Sequence, residues 1–399
     1  MASGSLVASA RSSMCQMIVS VPRETFPGER RVALTPLGAG ALTATGLEVV
    51  VEPGAGEGAG FGDGAYLEKG ARMAKDRQEA LGGDVVAQVR TFGANQEAGG
   101  RDLELFRPGQ TVIGFADPLG APDATRQMAE RGVVLVALEL MPRISRAQSM
   151  DALSSQATVA GYKSAVLVAQ RLNKLLPMLT TAAGTIAPAR VFVVGAGVAG
   201  LQAIATVRRL GAVVQAYDVR PAVQEQVESV GAKFVSLPIQ SGDAEQQGGY
   251  AGEMGEDFYQ RQRELMAQVV QVSDAVITTA LVPGARAPVL VDASMVMGMR
   301  RGSVICDLAA GQGGNCELSR PDEDVVTEGG VTILGPTNLA ATVPHDASQM
   351  YSRNLSNLVL HLTSEGSLDL DPQDVIVSGT VVSRDGEVVH PAVRQALGL

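Results

Sequence analysis

The sequence predicts an α/β protein built from two Rossmann-like, doubly wound units joined by long helices, with a cleft between them. Three observations predict it. β-Branched runs alternate with segments of helical spacing in both halves of the chain, the pattern of parallel sheets fed by crossover helices. One such run, Val191-Phe192-Val193-Val194, opens directly into Gly195-x-Gly197-x-x-Gly200. The chain has 399 residues, 46% of them hydrophobic, which suffices for two cores. Its 46 Gly and 19 Pro, with no Trp, suit a turn-rich α/β chain better than a β-sandwich.

In chain order, residues 1–16 read as a small, polar extension without the apolar centre of a signal peptide. Strands are expected at 17–21, 47–52, 84–90, 110–115 and 133–138, with helices at 36–45 and 123–131. This first unit has no complete GxGxxG. Residues 149–179 have helical composition, with Leu153, Val159, Ala160, Val166, Leu167 and Leu172 on an apolar stripe. They read as one helix bridging two units. Further strands are expected at 213–217, 232–237, 274–279, 303–308 and 331–334. A helix over 348–363 crosses back to the first unit. The tail, 375–382 and 387–389, reads as a hairpin turning at Asp385-Gly386. The expected division is therefore 17–150 plus 346–399, and 151–345. Segment 241–257 is rich in Gly and acid; it reads equally as a disordered insertion or as a mobile lid contacting ligand through Tyr250.

Bulk properties narrow the function. The net charge is −10, with acids scattered, which argues against nucleic acid or an anionic membrane surface as partner. Cys15, Cys306 and Cys316 have neither disulfide-framework nor zinc-site spacing, so no metal is expected and a reducing compartment fits. No apolar run approaches the roughly 18 residues that a membrane span needs.

The glycine run carries the first chemical signal. Gly195 permits a tight turn, Gly197 lets the backbone approach a pyrophosphate, and Gly200 lets helix and strand pack closely. The helix that follows offers free N–H groups and a positive dipole end to phosphates. Asp218 ends the next strand, 18 residues past Gly200. There it accepts from a ribose diol and repels a 2′-phosphate, which favours NAD over NADP. The plain alternative is an ordinary βαβ turn.

Residues 142–156 carry the second signal, crowding Arg143, Gln148, Asp151, Ser154, Ser155 and Gln156 together. A helix starting near Ser145 places Gln148, Asp151 and Ser155 on one face. The plain alternative is a capping box of Ser145 and Gln148, with Asp151 favouring the helix dipole.

The runs PRISRAQSMDALSSQATVAGY, GAGVAGLQA with Asp218-Val-Arg-Pro, GGYAGEM and TTALVPGARAPVL together resemble the NAD(H)-binding component of proton-translocating nicotinamide nucleotide transhydrogenases. The likeness spans about residues 17–395. That family is similar in fold to alanine dehydrogenases, which share the RVALTP start at 31–36. The resemblance implies that Arg143, Gln148, Asp151 and Ser154 hold the dihydronicotinamide. It assigns Gly195, Gly197, Val198 and Gly200 to the pyrophosphate, and Asp218, Val219 and Arg220 to the adenosine ribose. Gly249 and Tyr250 belong to a closing lid, while Gln262 and Leu281 line the nucleotide cleft. It further implies a homodimer, NADP(H) bound on a separate subunit, proton translocation in membrane-spanning subunits, and a peripheral position on the cytoplasmic side. Plainer readings stand beside these: Arg220 as a surface residue, Gln262 as a solvated one, Leu281 and Cys306 as core. Asp307 reads as a strand-end residue, Asn315 as a turn residue, and His345, His361 and His390 as lacking a paired acid.

Two activities fit that fold. An amino-acid dehydrogenase needs cations for a carboxylate and a general acid/base; the resemblance implies a Lys, a His and an Asp for alanine dehydrogenases. This chain has Gln88, no His in IGFADPLGA, and Gly311 in those stretches; only Arg31 remains. Direct hydride transfer between nicotinamides needs orientation and water exclusion but no base. A non-catalytic NAD-sensing module is a third possibility, against which the Arg143–Ser154 set argues.

Overall fold

A computed structural model describes residues 16–236 and 260–399, and the backbone of residues 245–246, 250–251 and 256–259. Residues 1–15 of the expected extension, most of the 241–257 segment including Gly249, and the side chain of Tyr250 lie outside the described residues.

The first unit supplies β1 (Ile18–Val21), β2 (Glu48–Val51), β3 (Arg72–Met73), β4 (Val85–Arg90), β5 (Thr111–Phe115) and β6 (Val134–Ala137). The second supplies β7 (Arg190–Val194), β8 (Val213–Tyr217), β9 (Lys233–Phe234), β10 (Ala275–Thr278), β11 (Val304–Asp307), β12 (Asp324–Val326) and β13 (Thr332–Leu334). The chain then returns with β14 (Val381–Arg384) and β15 (Glu387–Val388). One sheet runs β15-β14-β6-β5-β4-β1-β2-β3, the other β9-β8-β7-β10-β11-β13-β12. Both are parallel except for β14, β15 and β12, which pair antiparallel. Strands such as β7 are apolar on both faces and buried on both, as covered parallel sheets require. The strand order reverses at β1 in one sheet and at β7 in the other. Such switch points are where doubly wound sheets bind ligands, at their carboxyl edges.

Five helices place these edges: α1 (Pro36–Thr43), α2 (Ala152–Arg171), α3 (Val198–Arg209), α4 (Glu256–Val272) and α5 (Pro344–His361). Pro36 at the first turn and the Thr35 side chain as N-cap start α1. Late in sequence, α5 nonetheless completes the first core: Tyr351, Leu355 and Val359 pack with Val19, Val49 and Val136. Ala165 and Val168 of α2 pack instead with Ile204 and Val207 of α3 and with Val191 and Val193 of β7. At Gly161 a side chain on α2 would collide with the Ala199 carbonyl of α3.

The bridging helix differs from expectation at both ends. It starts at Ala152, because Asp151 caps it, and a 3₁₀ turn occupies Ser145–Met150. It ends at Arg171, and Leu179–Thr181 pairs with Gly184–Ile186 as an exposed hairpin. β-Branched Thr and Ile, with Gly184 at φ 115°, favour strand and turn there. Its buried stripe is Ala152, Gln156, Val159, Gly161, Ser164, Ala165 and Val168, a selection by close packing more than by side-chain size. In the tail, Val375–Thr380 is a helix capped by Asp374. The following hairpin does turn at Asp385-Gly386, with φ of 53° and 84°. The edge strands β3 and β12 are too short to announce themselves.

Gly161→Val is expected to cost about 2–3 kcal/mol, because overpacking forces two helices apart. Gly100→Ala, which meets nothing within 4 Å, serves as control and should be neutral or slightly stabilising. Urea denaturation of both variants checks this.

Candidate functional site

The three glycines of the β7–α3 turn do three different jobs. Gly195 has φ 95°, a left-handed conformation, and a Cβ there would stand 2.6 Å from Thr279 Oγ1. A Cβ on Gly200 would collide with the Gly195 carbonyl, so α3 can approach β7 only without one. A Cβ on Gly197 would meet nothing within 4 Å. That open space lies at the N-cap of α3, which has no side-chain cap, so the first-turn N–H groups face it. A cradle of this shape fits the pyrophosphate of a dinucleotide. Val198, next in line, is 42% exposed.

Asp218 holds the turn from the neighbouring strand. Its Oδ2 accepts from Ala196 N at 2.8 Å and from Arg220 Nη2 at 3.0 Å. Its Oδ1 accepts from Arg220 N and Nε, both at 2.9 Å. Arg220 is therefore not a surface residue but half of a buried pair, with Val219 half-buried between them. Gln262 is not solvated either. It is buried on α4, and its Nε2 donates to Tyr217 Oη at 3.0 Å. Burial pushes the Tyr217 phenol up to about 12. Gln262 also borders a cleft of about 200 Å³ with Met266, Pro288 and Leu290. Leu281, expected as possible core, is 39% exposed just past β10. Across from it, Gly284 lies so close to Leu119, which follows β5, that a Cβ would stand 2.7 Å from the Leu119 Cβ. The loops that leave the carboxyl ends of β5 and β10 meet there.

The 142–156 cluster is arranged differently from the helix-face expectation. Asp151 Oδ1 accepts from Ser154 N at 2.9 Å, and its Oδ2 accepts from Ser154 Oγ at 2.6 Å. Those two are brought together as the cap of α2. The Ser145–Gln148 capping box does not form; Ile144 is the N-cap of the 3₁₀ turn and makes no side-chain cap bond. Gln148 stands exposed in that turn and Arg143 exposed just before it.

Arg31, the one residue left of an amino-acid substrate site, is already engaged. It is buried against Glu29 at 2.7 Å, and it donates to Gln156 Oε1 at 2.9 Å and Asn338 Oδ1 at 3.2 Å. This knot joins the first unit, α2 and the segment after β13. Burial acts to raise the Glu29 carboxyl, but Arg31 outweighs it and holds Glu29 down to about 2. Two carboxyls nearby go the other way. Burial, then the charge of Glu29, pushes Glu24 up to about 8. Burial pushes Glu139 up to about 7, although its Oε1 accepts from Ala116 N at 2.8 Å.

Several plainer residues find definite places. Cys306 is core. Asp307 is fully buried, accepting from Thr278 Oγ1, Ala309 N and Cys316 N, as a strand-end residue does. Asn315 does more than turn the chain: it accepts from Ala280 N and donates to Ala280 O and Pro288 O, each at 2.9 Å. His361 does have a paired acid, Asp374, at 3.1 Å. Gly311 is exposed, and a side chain there would make ordinary contact with Thr337.

Comparison with known proteins places this arrangement. Residues 20–160 match the alanine dehydrogenase/PNT N-terminal domain, and residues 164–391 match the alanine dehydrogenase/PNT C-terminal domain. The chain belongs to the alanine dehydrogenase/PNT family. It is 46% identical over 381 residues to the first part of NAD(P) transhydrogenase subunit alpha from Rhodospirillum rubrum, covering 94% of this chain and 99% of that one. The structure of a transhydrogenase from Sinorhizobium meliloti superposes with a TM-score of 0.83 at 42% identity, over 93% of this chain and 100% of that one. Alanine dehydrogenase of Bacillus subtilis is 27% identical over 393 residues, covering 96% and 95% of the two chains. The chain is thus an oxidoreductase of the transhydrogenase family with a nucleotide-binding Rossmann fold.

Two outcomes follow from the site. Gly200→Ala should destabilise the fold by about 2 kcal/mol or more, while Gly197→Ala should leave stability alone and weaken dinucleotide binding; calorimetric unfolding paired with a nucleotide titration separates them. Secondly, Glu24 and Glu139 keep their protons in the folded chain up to about 8 and 7, against an ordinary 4.5 unfolded. The native state binds more protons over that window, so stability should fall as pH rises from about 5 to 8. The slope is at most about 1.4 kcal/mol per pH unit for each proton. Glu29 contributes the opposite slope only below about 4.5. Urea unfolding of wild type and Glu139→Gln at pH 5.5 and pH 8 should show a shallower slope in the variant.

Proposed function

We propose that this chain is the NAD(H)-binding component of a proton-translocating transhydrogenase. Hydride would pass directly from NADH to NADP⁺ held on a separate subunit, leaving NAD⁺ and NADPH. The observation that carries this reading is a dinucleotide cradle, Gly195–Gly200 with Asp218, in a family site whose amino-acid anchor Arg31 is locked to Glu29, Gln156 and Asn338.

The nicotinamide itself supplies the hydride chemistry. The chain's residues bind and orient. The α3 N–H groups at Gly197 and Val198 receive the pyrophosphate, with Gly195 and Gly200 shaping the turn. Asp218, with Val219 and Arg220 beside it, meets the adenosine ribose, and its negative charge disfavours a 2′-phosphate. Gln262 and Leu281 line the cleft. Arg143, Gln148, Asp151 and Ser154 hold the dihydronicotinamide face, with Asp151 and Ser154 already locked into one cap. Rate enhancement comes from proximity and water exclusion, since no proton moves. Gly249 and Tyr250 would belong to the lid that excludes water.

Three further readings belong to this proposal. The chain divides into 17–150 with 346–399, and 151–345. It works as a homodimer: the hairpin Leu179–Thr181 with Gly184–Ile186 is exposed along its length, leaving Met178, Leu179 and Ile186 uncovered, and a second copy would cover it. Partners are an NADP-binding beta subunit and membrane-spanning subunits, with this chain peripheral on the cytoplasmic side. Among the described residues no helix is long and apolar enough to cross a membrane.

The test is reconstitution with the NADP-binding component of a related transhydrogenase, following hydride transfer from NADH to an NADP analogue. Transfer supports the proposal; alanine oxidation by NAD instead of transfer would overturn it, and NAD binding with neither activity would favour a sensor. Within the working complex, Gln148→Asn should slow transfer at least about tenfold while NADH affinity stays within about twofold.

A further inference from the structure

The 3₁₀ turn Ser145–Met150 presents Gln148 in solvent, yet it has no side-chain cap of its own. Something else must fix it, because a side chain on an unsupported turn is too loosely placed to orient a reacting ring. Its underside is apolar: Ala147 and Met150 are buried in the first core. Its topside is held by polar groups distant in sequence. The Ser149 carbonyl, next to Gln148, accepts from Asn354 Nδ2 at 2.9 Å and from Asn357 Nδ2 at 3.1 Å. Both amides stand on α5, three residues apart, on one helix face. On the other side of Gln148, Arg146 Nη2 meets Asp374 Oδ1 at 3.0 Å. Asp374 is itself fixed, accepting from Ile376 N at 2.7 Å and pairing with His361 Nε2 at 3.1 Å.

We infer that Asn354 and Asn357 are positioning residues for hydride transfer, fixing the backbone beside Gln148, with Asp374 bracing the turn through Arg146. This rests on the function proposed above. The three contacts do not weigh equally. Asn354 is 8% exposed, so its bond to the Ser149 carbonyl is sheltered on the α5 side. Asn357 donates to the same oxygen, so the carbonyl loses both protein partners only when both amides are removed. The Arg146 side chain is 53% exposed, so its ion pair with Asp374 is screened and contributes little alone. The α5 amides therefore do most of the positioning. None of the three residues belongs to the Gly195–Gly200 cradle, so NADH affinity should hardly depend on them.

The experiment uses the full chain, reconstituted with the NADP-binding component, carrying Asn354→Ala, Asn357→Ala, both together, or Asp374→Asn. Single-turnover hydride transfer, NADH affinity by fluorescence and hydrogen exchange of the 145–150 segment are read for each. In the double variant, transfer should fall at least about tenfold with NADH affinity within about twofold. Exchange should quicken at 145–150 and stay unchanged at 191–218. Asp374→Asn should show the smaller effect. Unchanged transfer, or an equal loss of rate and affinity, would overturn the inference. If wild type transfers no hydride, the proposed function fails, and hydrogen exchange still decides this point. Faster exchange at 145–150 in the double variant supports the clamp; unchanged exchange rejects it.

Discussion

The closeness of α3 to β7, made possible by the absence of a side chain at Gly200, is the constraint on which the rest depends. With α3 seated there, its N-terminus lies at the carboxyl edge of the sheet, and Asp218 ties down the turn through Ala196 N. The same helix then fixes α2, because Gly161 admits the Ala199 carbonyl. From Gly161, α2 runs ten residues back to its cap at Asp151, about 15 Å at helical rise. One rigid helix thus sets the separation between the phosphate cradle and the Asp151–Ser154 cap. In the function proposed above, these two local devices, held apart by a rod, would take the two ends of an extended dinucleotide.

The second determinant is what has been done with Arg31. A buried guanidinium with Glu29 as counter-ion and two amide acceptors is satisfied, and breaking such a group free would leave an uncompensated buried charge. The sequence motif alone shows Arg31 in place. Only the fold shows its charge spent on holding the first unit, α2 and the Asn338 segment together. An arginine that in an amino-acid dehydrogenase would face an anionic substrate is here part of the scaffold. A scaffold role for Arg31 agrees with the proposed function, in which the chain orients a nucleotide and moves no proton.

Much of this was legible in the sequence because it is local. The strand–glycine–helix run needs only neighbours to specify it, and β7, α3 and β8 fall where their residues place them. The parallel order of both sheets follows from alternation. What escaped is mostly what depends on residues far apart. For Gln262, read as lining the cleft or as solvated, the pairing with Tyr217 lies 45 residues away. For Arg220, read as a ribose contact or as a surface residue, the grip on Asp218 is local and still invisible in the motif. His361 lacks an acid until Asp374 folds beside it. Asn315, Asn354 and Asn357 carry no motif at all, since an amide that braces a distant backbone carbonyl leaves no spacing to detect. The start of α2 was misplaced for a different reason: Ser145 and Asp151 both have capping chemistry, and only the second has Ser154 to complete the cap.

In the proposed function the cradle and Asp218 hold NAD(H) and refuse its 2′-phosphorylated counterpart. Parallel titrations of the full chain with NADH and NADPH test it most directly. Arg220, paired with Asp218 at 2.9 Å, offsets part of the repulsion between the carboxylate and a phosphate, so NADPH should bind at least about tenfold more weakly than NADH, about 1.4 kcal/mol. Equal affinities for the two would overturn this role of Asp218.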